Sequence, residues 1–282
     1  MKMSYRQKSG VWLVCVVSLF LLALWRHGGI EPGHALLLFA LCFVCELVDS
    51  GLGMGYGTIL TPTLLLLGYS PQDIVPTVLL SELLSGFSAA FFHHEIKNVQ
   101  LGFRGRDFMP AMILAAGSIA GVTVGVLIAV SIPKQMLSTG IGGIILLSGL
   151  MVVLLARRVI TYRRWKMLLL ATVASFNKAL SGGGYGPLVT SGQILSGVDG
   201  KASVGITSFA EAFTCLLAVT LFLGKGGSIN LVLFIPMAAG ALISVPFAVF
   251  VINRTHETRL KLVIGGLTMA MGVLTIYKAL AG

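Results

Sequence analysis

Gly53-Met54-Gly55-Tyr56-Gly57 is matched 129 residues later by Gly182-Gly183-Gly184-Tyr185-Gly186, and both stretches interrupt long apolar runs. Extended without a gap over residues 53–89, the same register gives ten identities in 37 positions. Closely spaced glycines break a helix, because they remove side chains and permit backbone conformations closed to other residues. A duplicated, glycine-broken apolar segment is typical of secondary transporters, in which the site lies where the two repeats meet.

The composition is that of an integral membrane protein. Of 282 residues, 56% are hydrophobic and 11% are charged, and the mean hydropathy is +0.95. This is more apolar surface than one soluble domain can bury. The net charge of +10 falls into short clusters, which argues against a nucleic-acid partner and is typical of cytoplasmic loops. The clusters lie at residues 2–8, 97–106, 157–166 and 254–261.

The first 33 residues are expected to form a cytoplasmic amino terminus and an extra transmembrane helix. The basic segment 2–8 precedes an apolar run from Val11 to Trp25, as in a signal peptide. No small-x-small cleavage site follows Trp25, which favours an uncleaved helix. The run is short for a span of about 20 residues, so a cleaved signal remains the alternative.

The remaining chain divides into two predicted transport repeats within one integral transport domain, at residues 34–156 and 157–282. Segments 58–68 and 187–196 would rise only about 15 Å as helices, roughly half the hydrocarbon core. Each repeat is therefore interpreted as a glycine-broken helical hairpin plus three crossings. Because each repeat makes an odd number of crossings, the two repeats have opposite orientations in the membrane. The amino terminus is then expected inside and the carboxyl terminus outside. The sequence predicts an all-α membrane protein of two inverted repeats, and leaves open whether the hairpins are re-entrant or fully spanning.

The glycine breaks are the predicted substrate site. A helix that begins near the bilayer midplane directs free N–H groups and the positive end of its dipole at whatever occupies the break, which suits an anion. The alternative is that the glycines only permit close helix packing. The predicted substrate-binding residues are Gly55, Tyr56, Gly57, Thr61, Asn177, Lys178, Ser181, Gly184, Tyr185, Gly186 and Thr190.

Three acids are predicted to serve in coupling or gating. Glu82 and Glu211 occupy matched positions in apolar runs, where an ionised carboxylate is costly unless it is paired or protonated. They would carry protons, or hydrogen-bond the broken backbone of a hairpin. The register places Asp49 opposite Lys178, so these two could pair when the site is empty. The alternative is that both only cap or snorkel near helix ends.

Catalytic and metal-binding motifs are not indicated. The adjacent His93 and His94 are expected to be solvated interface residues rather than metal ligands. All five histidines lie at span ends or in loops, which argues against intramembrane proteolysis by a Ser–His pair. Zinc-protease, phosphate-loop and nucleophile-elbow motifs are missing from the sequence. We therefore expect no enzyme activity, no cofactor and no metal. The four cysteines lie in apolar stretches and are expected to pack there, with a thiol role in sulfur chemistry as the alternative.

The chain resembles the sulfite exporter TauE/SafE family over about residues 34–280. The resemblance rests on the two glycine-rich segments, residues 49–57 and 180–187, each followed by a short apolar helix and then by Glu82 or Glu211. Leu52 and Met54 depart from the plainer triple-glycine pattern of the second segment. The resemblance implies export or permeation of small sulfur-containing anions, such as sulfite, sulfoacetate or other sulfonates, across a bacterial inner membrane.

Together these features predict a secondary transporter, most simply an exporter, that works by alternating access and is a candidate for proton coupling. A passive small-anion channel is the main alternative, and a membrane enzyme or assembly factor is the alternative of another class. The expected partners are a small anionic substrate, protons and the lipid bilayer. A homo-oligomer is compatible with the sequence.

Overall fold

The computed structural model describes residues 4–26, 31–155, 164–251 and 257–281. Within these ranges every regular secondary-structure element is an α-helix. The helices are α1 (Tyr5–Arg26), α2 (Pro32–Leu52), α3 (Tyr56–Leu66), α4 (Pro71–Glu95), α5 (Phe108–Ser131), α6 (Lys134–Leu155), α7 (Arg164–Ser181), α8 (Tyr185–Leu195), α9 (Gly200–Gly224), α10 (Leu231–Val251) and α11 (Glu257–Ala281). The predicted repeat boundary at residues 156 and 157, and the basic residues Lys2, Arg157, Arg158, Arg163 and Arg254, lie outside the described residues.

Six of the described helices are long and apolar enough to cross a membrane, namely α1, α2, α4, α5, α9 and α10. By contrast, α3 and α8 have 11 residues each. At 1.5 Å per residue each is about 16 Å long, half of the hydrocarbon core. The prediction of an all-helical membrane protein is thus confirmed, as is the shortness of the two segments that follow the glycine breaks.

Local sequence signals explain where the long helices begin. Pro71 is the first residue of α4, where its missing N–H costs nothing. The Ser70 hydroxyl caps that helix by accepting a hydrogen bond from the backbone N–H of Asp73. Asp199 caps α9 in the same way, with its carboxylate accepting from the N–H groups of Lys201 and Ala202. The register that relates the glycine motifs also places the start of α9 opposite that of α4.

The helix packing follows the same register. With α2 to α6 matched to α7 to α11, the contact of α5 with α7 has its counterpart in the contact of α10 with α2. The contact of α4 with α10 likewise has its counterpart in the contact of α9 with α5. Two further extensive contacts join matched helices directly: α4 packs on α9, and α6 packs on α11. This arrangement puts the middle of α4 and α9 beside the two short helices, where the site is built.

Helix α1 lies at the edge of the bundle against α10. The Trp12 indole N–H donates to the carbonyl of Leu242 at 3.0 Å, and the Tyr5 hydroxyl donates to the carbonyl of Pro246 at 2.8 Å. Pro246 lies inside α10. Most of the apolar residues described in α1 are exposed, as expected of a helix that faces lipid.

Candidate functional site

The two glycine breaks face each other in the middle of the structure. Gly57 lies so close to the backbone of Gly182 that a Cβ at residue 57 would overlap the Gly182 carbonyl. Its register counterpart Gly186 lies against Gly53 in the same way, and a Cβ there would be 2.5 Å from the Gly53 oxygen. Since residues 57 and 186 are matched, as are residues 53 and 182, the contact is reciprocal. Only glycine permits this approach of two backbones.

Each helix that enters a break ends on a glycine with positive φ. Gly53 has φ +69° at the end of α2, and Gly182 has φ +70° at the end of α7. This left-handed conformation turns the chain sharply and is readily adopted by glycine. The two matched glycines therefore stop their helices with the same backbone geometry, and the short helices α3 and α8 begin a few residues later.

Threonine hydroxyls connect the two breaks. The Thr190 hydroxyl donates to the Gly53 carbonyl at 2.8 Å, and the backbone N–H of Gly184 donates to the Thr58 hydroxyl at 3.1 Å. The matched Thr61 hydroxyl lies beside Gly182, but it is buried without a hydrogen-bond partner. Thr61 is thus one of the predicted contacts that retains free hydrogen-bonding capacity.

Some of the N–H groups around the two breaks already have partners inside the protein. The Tyr56 N–H donates to the Asp49 carboxylate at 3.2 Å, so this carboxylate occupies the position at the start of α3 that an anionic ligand would take. The Gly183 N–H donates to the Ser181 hydroxyl at 3.1 Å. Side chains of the protein thus satisfy part of the hydrogen-bonding capacity of the two breaks.

Lys178 lies at the centre of the site and is 1% exposed. Its ammonium donates to Glu211 at 2.9 Å and also to Glu82. One acid comes from each matched segment, so the lysine joins them. The expected pairing of Lys178 with Asp49 is wrong for this state, because Asp49 instead accepts from the start of α3. The register alone does not indicate that the side chain of Lys178 contacts α4 and α9.

The electrostatics of this cluster are demanding. Carboxylate oxygens of Asp49, Glu82 and Glu211 all lie within 4.8 Å of one another, and all three residues are buried. Two unit charges at that distance repel by on the order of 3 kcal/mol at an effective dielectric constant of about 20. A single ammonium cannot compensate three negative charges, so the cluster is stable only with bound protons or a further cation. Lys178 supplies one positive charge to this cluster through its pairs with Glu82 and Glu211.

Both tyrosines of the glycine motifs are fully buried and anchored by their hydroxyl groups. The Tyr56 hydroxyl lies 2.7 Å from that of Ser81 on α4, and the Tyr185 hydroxyl lies 3.4 Å from that of Ser118 on α5. Of the predicted substrate residues, Asn177 alone is partly exposed. The structure thus collects the predicted residues in one buried region, with Asn177 at its margin.

Sequence reasoning missed a fourth buried acid. Glu46 on α2 is 1% exposed and accepts hydrogen bonds from Ser50 and, at 2.9 Å, from Ser85 on α4. Its position in the apolar run 34–50 was the available signal, since an ionisable residue within a membrane span marks a functional site. It has no acidic counterpart, because Ser175 occupies the matched position in the second half.

The expectation for His93 is also wrong. His93 is 3% exposed and lies 2.7 Å from the Ser50 carbonyl through Nε2, with Asn98 at 3.0 Å from Nδ1. Its place near the end of α4 suggested a solvated residue, but α2 and the loop after α4 cover it. His27 and His256 lie outside the described residues.

Two cavities with basic side chains in their lining open beyond the carboxyl ends of the short helices. One of about 340 Å³ lies at the end of α3 and includes Lys134 and Lys278. The other, of about 420 Å³, lies at the end of α8 and includes Arg106 and Arg164. Lys134 follows the end of α5 and Arg106 precedes its start, so the cavities lie at opposite ends of that membrane-crossing helix.

The fold and this site define a multi-pass α-helical membrane protein in which two broken helices meet at a buried ion-pair cluster. The chain belongs to the Sulfite exporter TauE/SafE family, whose model matches residues 37–275. It is 25% identical over 255 residues to the probable membrane transporter protein YtnM of Bacillus subtilis (strain 168), covering 86% of this chain and 82% of that protein. No solved structure matches the chain. The chain is therefore a membrane transporter of this family.

Proposed function

We propose that the chain is a secondary transporter that exports small sulfur-containing anions, such as sulfite, sulfoacetate or related sulfonates, by alternating access. The observation that carries the proposal is Lys178, a fully buried cation held between one glutamate from each half, beside the two facing glycine breaks. A buried lysine whose partners can be exchanged is a suitable receptor for a small oxyanion. The family and the relative named above support transport in general, and the choice of anion rests on the family description.

In this proposal the transport unit comprises residues 34–156 and 157–282 as two inverted repeats, with the amino terminus in the cytoplasm and the carboxyl terminus outside the inner membrane. The reciprocal packing of Gly57 on Gly182 and of Gly186 on Gly53 supports a two-fold relation between the repeats. The positions of the two basic cavities at opposite ends of α5 support opposite orientations. Alternating access would then be a rocking of one repeat against the other around this contact.

The site can bind an anion when the ion pairs of Lys178 with Glu82 and Glu211 break. If the ammonium moves to an anion, Glu82 and Glu211 lose their counter-charge in a region of low dielectric constant and take up protons. Anion binding and proton binding are thereby coupled, and the two ions move in the same direction. Export then follows the gradient of the anion, with the helix start now held by Asp49 becoming available to it.

The basic cavities would concentrate the anion on each side. The first contains Lys134 and Lys278, and the second contains Arg106 and Arg164. A concave surface with cationic side chains raises the local concentration of anions and their rate of entry. Each cavity begins where a short helix ends, so the distance from the cavity to the break is only about 16 Å, the length of that helix.

The proposal is tested by reconstituting the full chain into liposomes loaded with sulfite or sulfoacetate, with sulfate and a carboxylate as competitors. Wild type should release the sulfur anions, and release should respond to an ionophore that collapses the proton gradient. Lys178→Met should abolish release, whereas Lys201→Met, at an exposed lysine, should not. Undiminished release by a folded Lys178→Met chain would refute the site, and release that ignores the ionophore would identify a passive channel.

A further inference from the structure

We infer that the oxyanion group of the substrate binds at the second glycine break, residues 182–184, where its oxygens accept hydrogen bonds from the hydroxyls of Thr61 and Ser148. The inference rests on the proposed transport function and names the binding site within it. Ser148 belongs to α6, and neither the glycine motifs nor the register between the halves gave this serine a role. The site is asymmetric, because the first break, residues 53–55, lacks these free hydroxyls.

Two buried hydroxyl groups lie against the second break. The Thr61 hydroxyl oxygen is 2.9 Å from the position of a Cβ at Gly182, and the Ser148 hydroxyl oxygen is 2.9 Å from that position at Gly184. Thr61 is fully buried and Ser148 is 2% exposed. Within the part of the chain that the structure describes, neither hydroxyl oxygen has a hydrogen-bond partner. Since buried polar groups are almost always hydrogen-bonded, two unpartnered hydroxyls beside one short segment indicate a ligand that accepts hydrogen bonds.

The start of α8 adds a backbone donor to these hydroxyls. Tyr185 is the first residue of this 11-residue helix, so its N–H has no partner within the helix. The positive end of the helix dipole lies at the same place, which favours an anion. Gly182 and Gly184 are two residues apart and thus separated by at most about 7 Å. One small oxyanion and its hydrogen bonds can bridge that distance.

The first break already has partners for its matched groups. The Thr190 hydroxyl, which corresponds to that of Thr61, donates to the Gly53 carbonyl at 2.8 Å. The Tyr56 N–H, which opens α3, donates to the Asp49 carboxylate at 3.2 Å. In this state an anion at the first break would therefore have to displace a carboxylate of the protein.

The side chains that surround the two breaks differ in the same sense. A Cβ at Gly55 would lie 3.1 Å from Val48 and 3.8 Å from Ile59, both of which are apolar. At the matched Gly184, the residue corresponding to Val48 is Asn177, with its Cβ at 3.5 Å. The first break is thus enclosed by hydrocarbon side chains, whereas the second has polar neighbours.

The charges next to the breaks favour the second break as well. Lys178 belongs to α7, the helix that ends at this break, and its carbonyl accepts from the Gly182 N–H at 2.8 Å. The matched residue of α2 is Asp49. An anion is therefore repelled by the acid at the first break and attracted by the base that precedes the second. The Lys178 ammonium becomes available when its ion pairs with the two glutamates break, as in the proposed function.

The donor set fits an anion with several oxygens on one small group. It comprises the two hydroxyls, the Tyr185 N–H and the Lys178 ammonium. Sulfite and the sulfonate group have three oxygens that can accept from such a set, whereas a carboxylate has two and would leave a buried donor without a partner. We therefore expect the site to bind sulfite and sulfoacetate through their sulfur oxyanion and to discriminate against simple carboxylates.

The test measures the dissociation constant of sulfite by calorimetry on the purified full chain, together with the melting temperature without ligand. Ser148→Ala and Thr61→Val should each weaken binding by roughly 10- to 100-fold, because each removes a hydrogen bond to a charged group. The melting temperature should stay the same or rise, since the removed hydroxyls have no partner in the protein. A purely structural hydroxyl would show the reverse pattern, with a lower melting temperature and unchanged binding.

Ser244→Ala is the matched control. Ser244 on α10 is also fully buried, and its hydroxyl also has no partner among the described residues. This variant should bind sulfite like wild type. Thr61→Ser, which keeps a hydroxyl, should bind more tightly than Thr61→Val, and Thr61→Ala replaces Thr61→Val if that variant does not fold.

Wild-type affinity for sulfite in either folded Ser148→Ala or folded Thr61→Val would overturn the site. If those variants also export sulfite normally, the site fails while the proposed function stands. If wild type binds sulfate or phosphate but neither sulfite nor sulfoacetate, and both variants weaken that binding, the site is supported and the proposed substrates are refuted. A wild-type chain that binds none of these oxyanions would overturn both.

Discussion

Adding one methyl group at Gly186 should separate the two halves of the protein. In the structure the new Cβ would lie 2.5 Å from the Gly53 carbonyl oxygen, and backbone atoms of Gly53 and Met54 lie at 3.1 Å. Ordinary contact begins near 3.4 Å, so α8 must shift by about 0.9 Å. The obstacle is backbone on both sides, so no side-chain rotation can relieve it.

Overpacking of this kind costs about 1–3 kcal/mol. With a melting temperature that changes by about 2–4 °C per kcal/mol for a chain of this size class, Gly186→Ala should lower it by roughly 2–12 °C. The assay is thermal unfolding of the purified protein, combined with release of sulfite from liposomes. We expect flux per folded molecule to fall as well, because the displaced contact holds the two breaks together.

Gly140→Ala is the matched control. Gly140 also lies within a helix, but no atom lies within 4 Å of its added Cβ, and alanine is favoured there by about 1 kcal/mol. Its melting temperature should be unchanged or higher. If Gly186→Ala melts and transports like this control, then the halves do not meet at residue 186 and the reciprocal packing is wrong.

Three further predictions concern the polar contacts. Lys178→Met should reduce the free energy of unfolding by about 3–5 kcal/mol, because it leaves uncompensated buried carboxylates. Adding Glu82→Gln to the same chain should restore part of the lost stability, measured as a rise in melting temperature. Equal melting temperatures of the single and double variants would contradict the ion pair. Thr190→Val should lower the free energy of unfolding by about 1 kcal/mol in the same assay, because the hydrogen bond to the Gly53 carbonyl is lost. Unchanged stability would show that this hydrogen bond does not stabilise the protein. Lys278→Met should reduce the rate of sulfite flux and the melting temperature together, since its ammonium also caps the carbonyls of Leu65 and Leu66, whereas Lys134→Met should reduce the rate alone.

The glycine register could predict much of the fold and the centre of the site. It identified the breaks, the short helices after them and the matched polar residues, because identical local requirements on the backbone leave identical residues at both positions. The structure brings Gly57 to Gly182 and Gly186 to Gly53, as a match of 129 residues implies for two elements that meet. The inverted orientation of the repeats stays a prediction.

The rest of the site could not be predicted from the register, because its residues are not matched between the two halves. Glu46 and His93 have no counterparts, so a comparison of the two halves passes over them. The depth of His93 depends on how α2 and the following loop cover the end of α4, which is tertiary information. Likewise, the partners of Lys178 are 96 and 33 residues away along the chain, and no local pattern specifies contacts at such separations.

The unequal residues at positions 49 and 178 bear on how such a chain could have arisen. A protein assembled from two identical copies of one half would carry the same residue at both positions, giving either two lysines or two aspartates beside the paired glutamates. Two aspartates would gather four negative charges with no cation, and two lysines would balance the glutamates and leave no role for bound protons. Because each half of this chain has its own coding sequence, one position can carry the base while the other carries an acid, and this difference gives the centre its unequal charge.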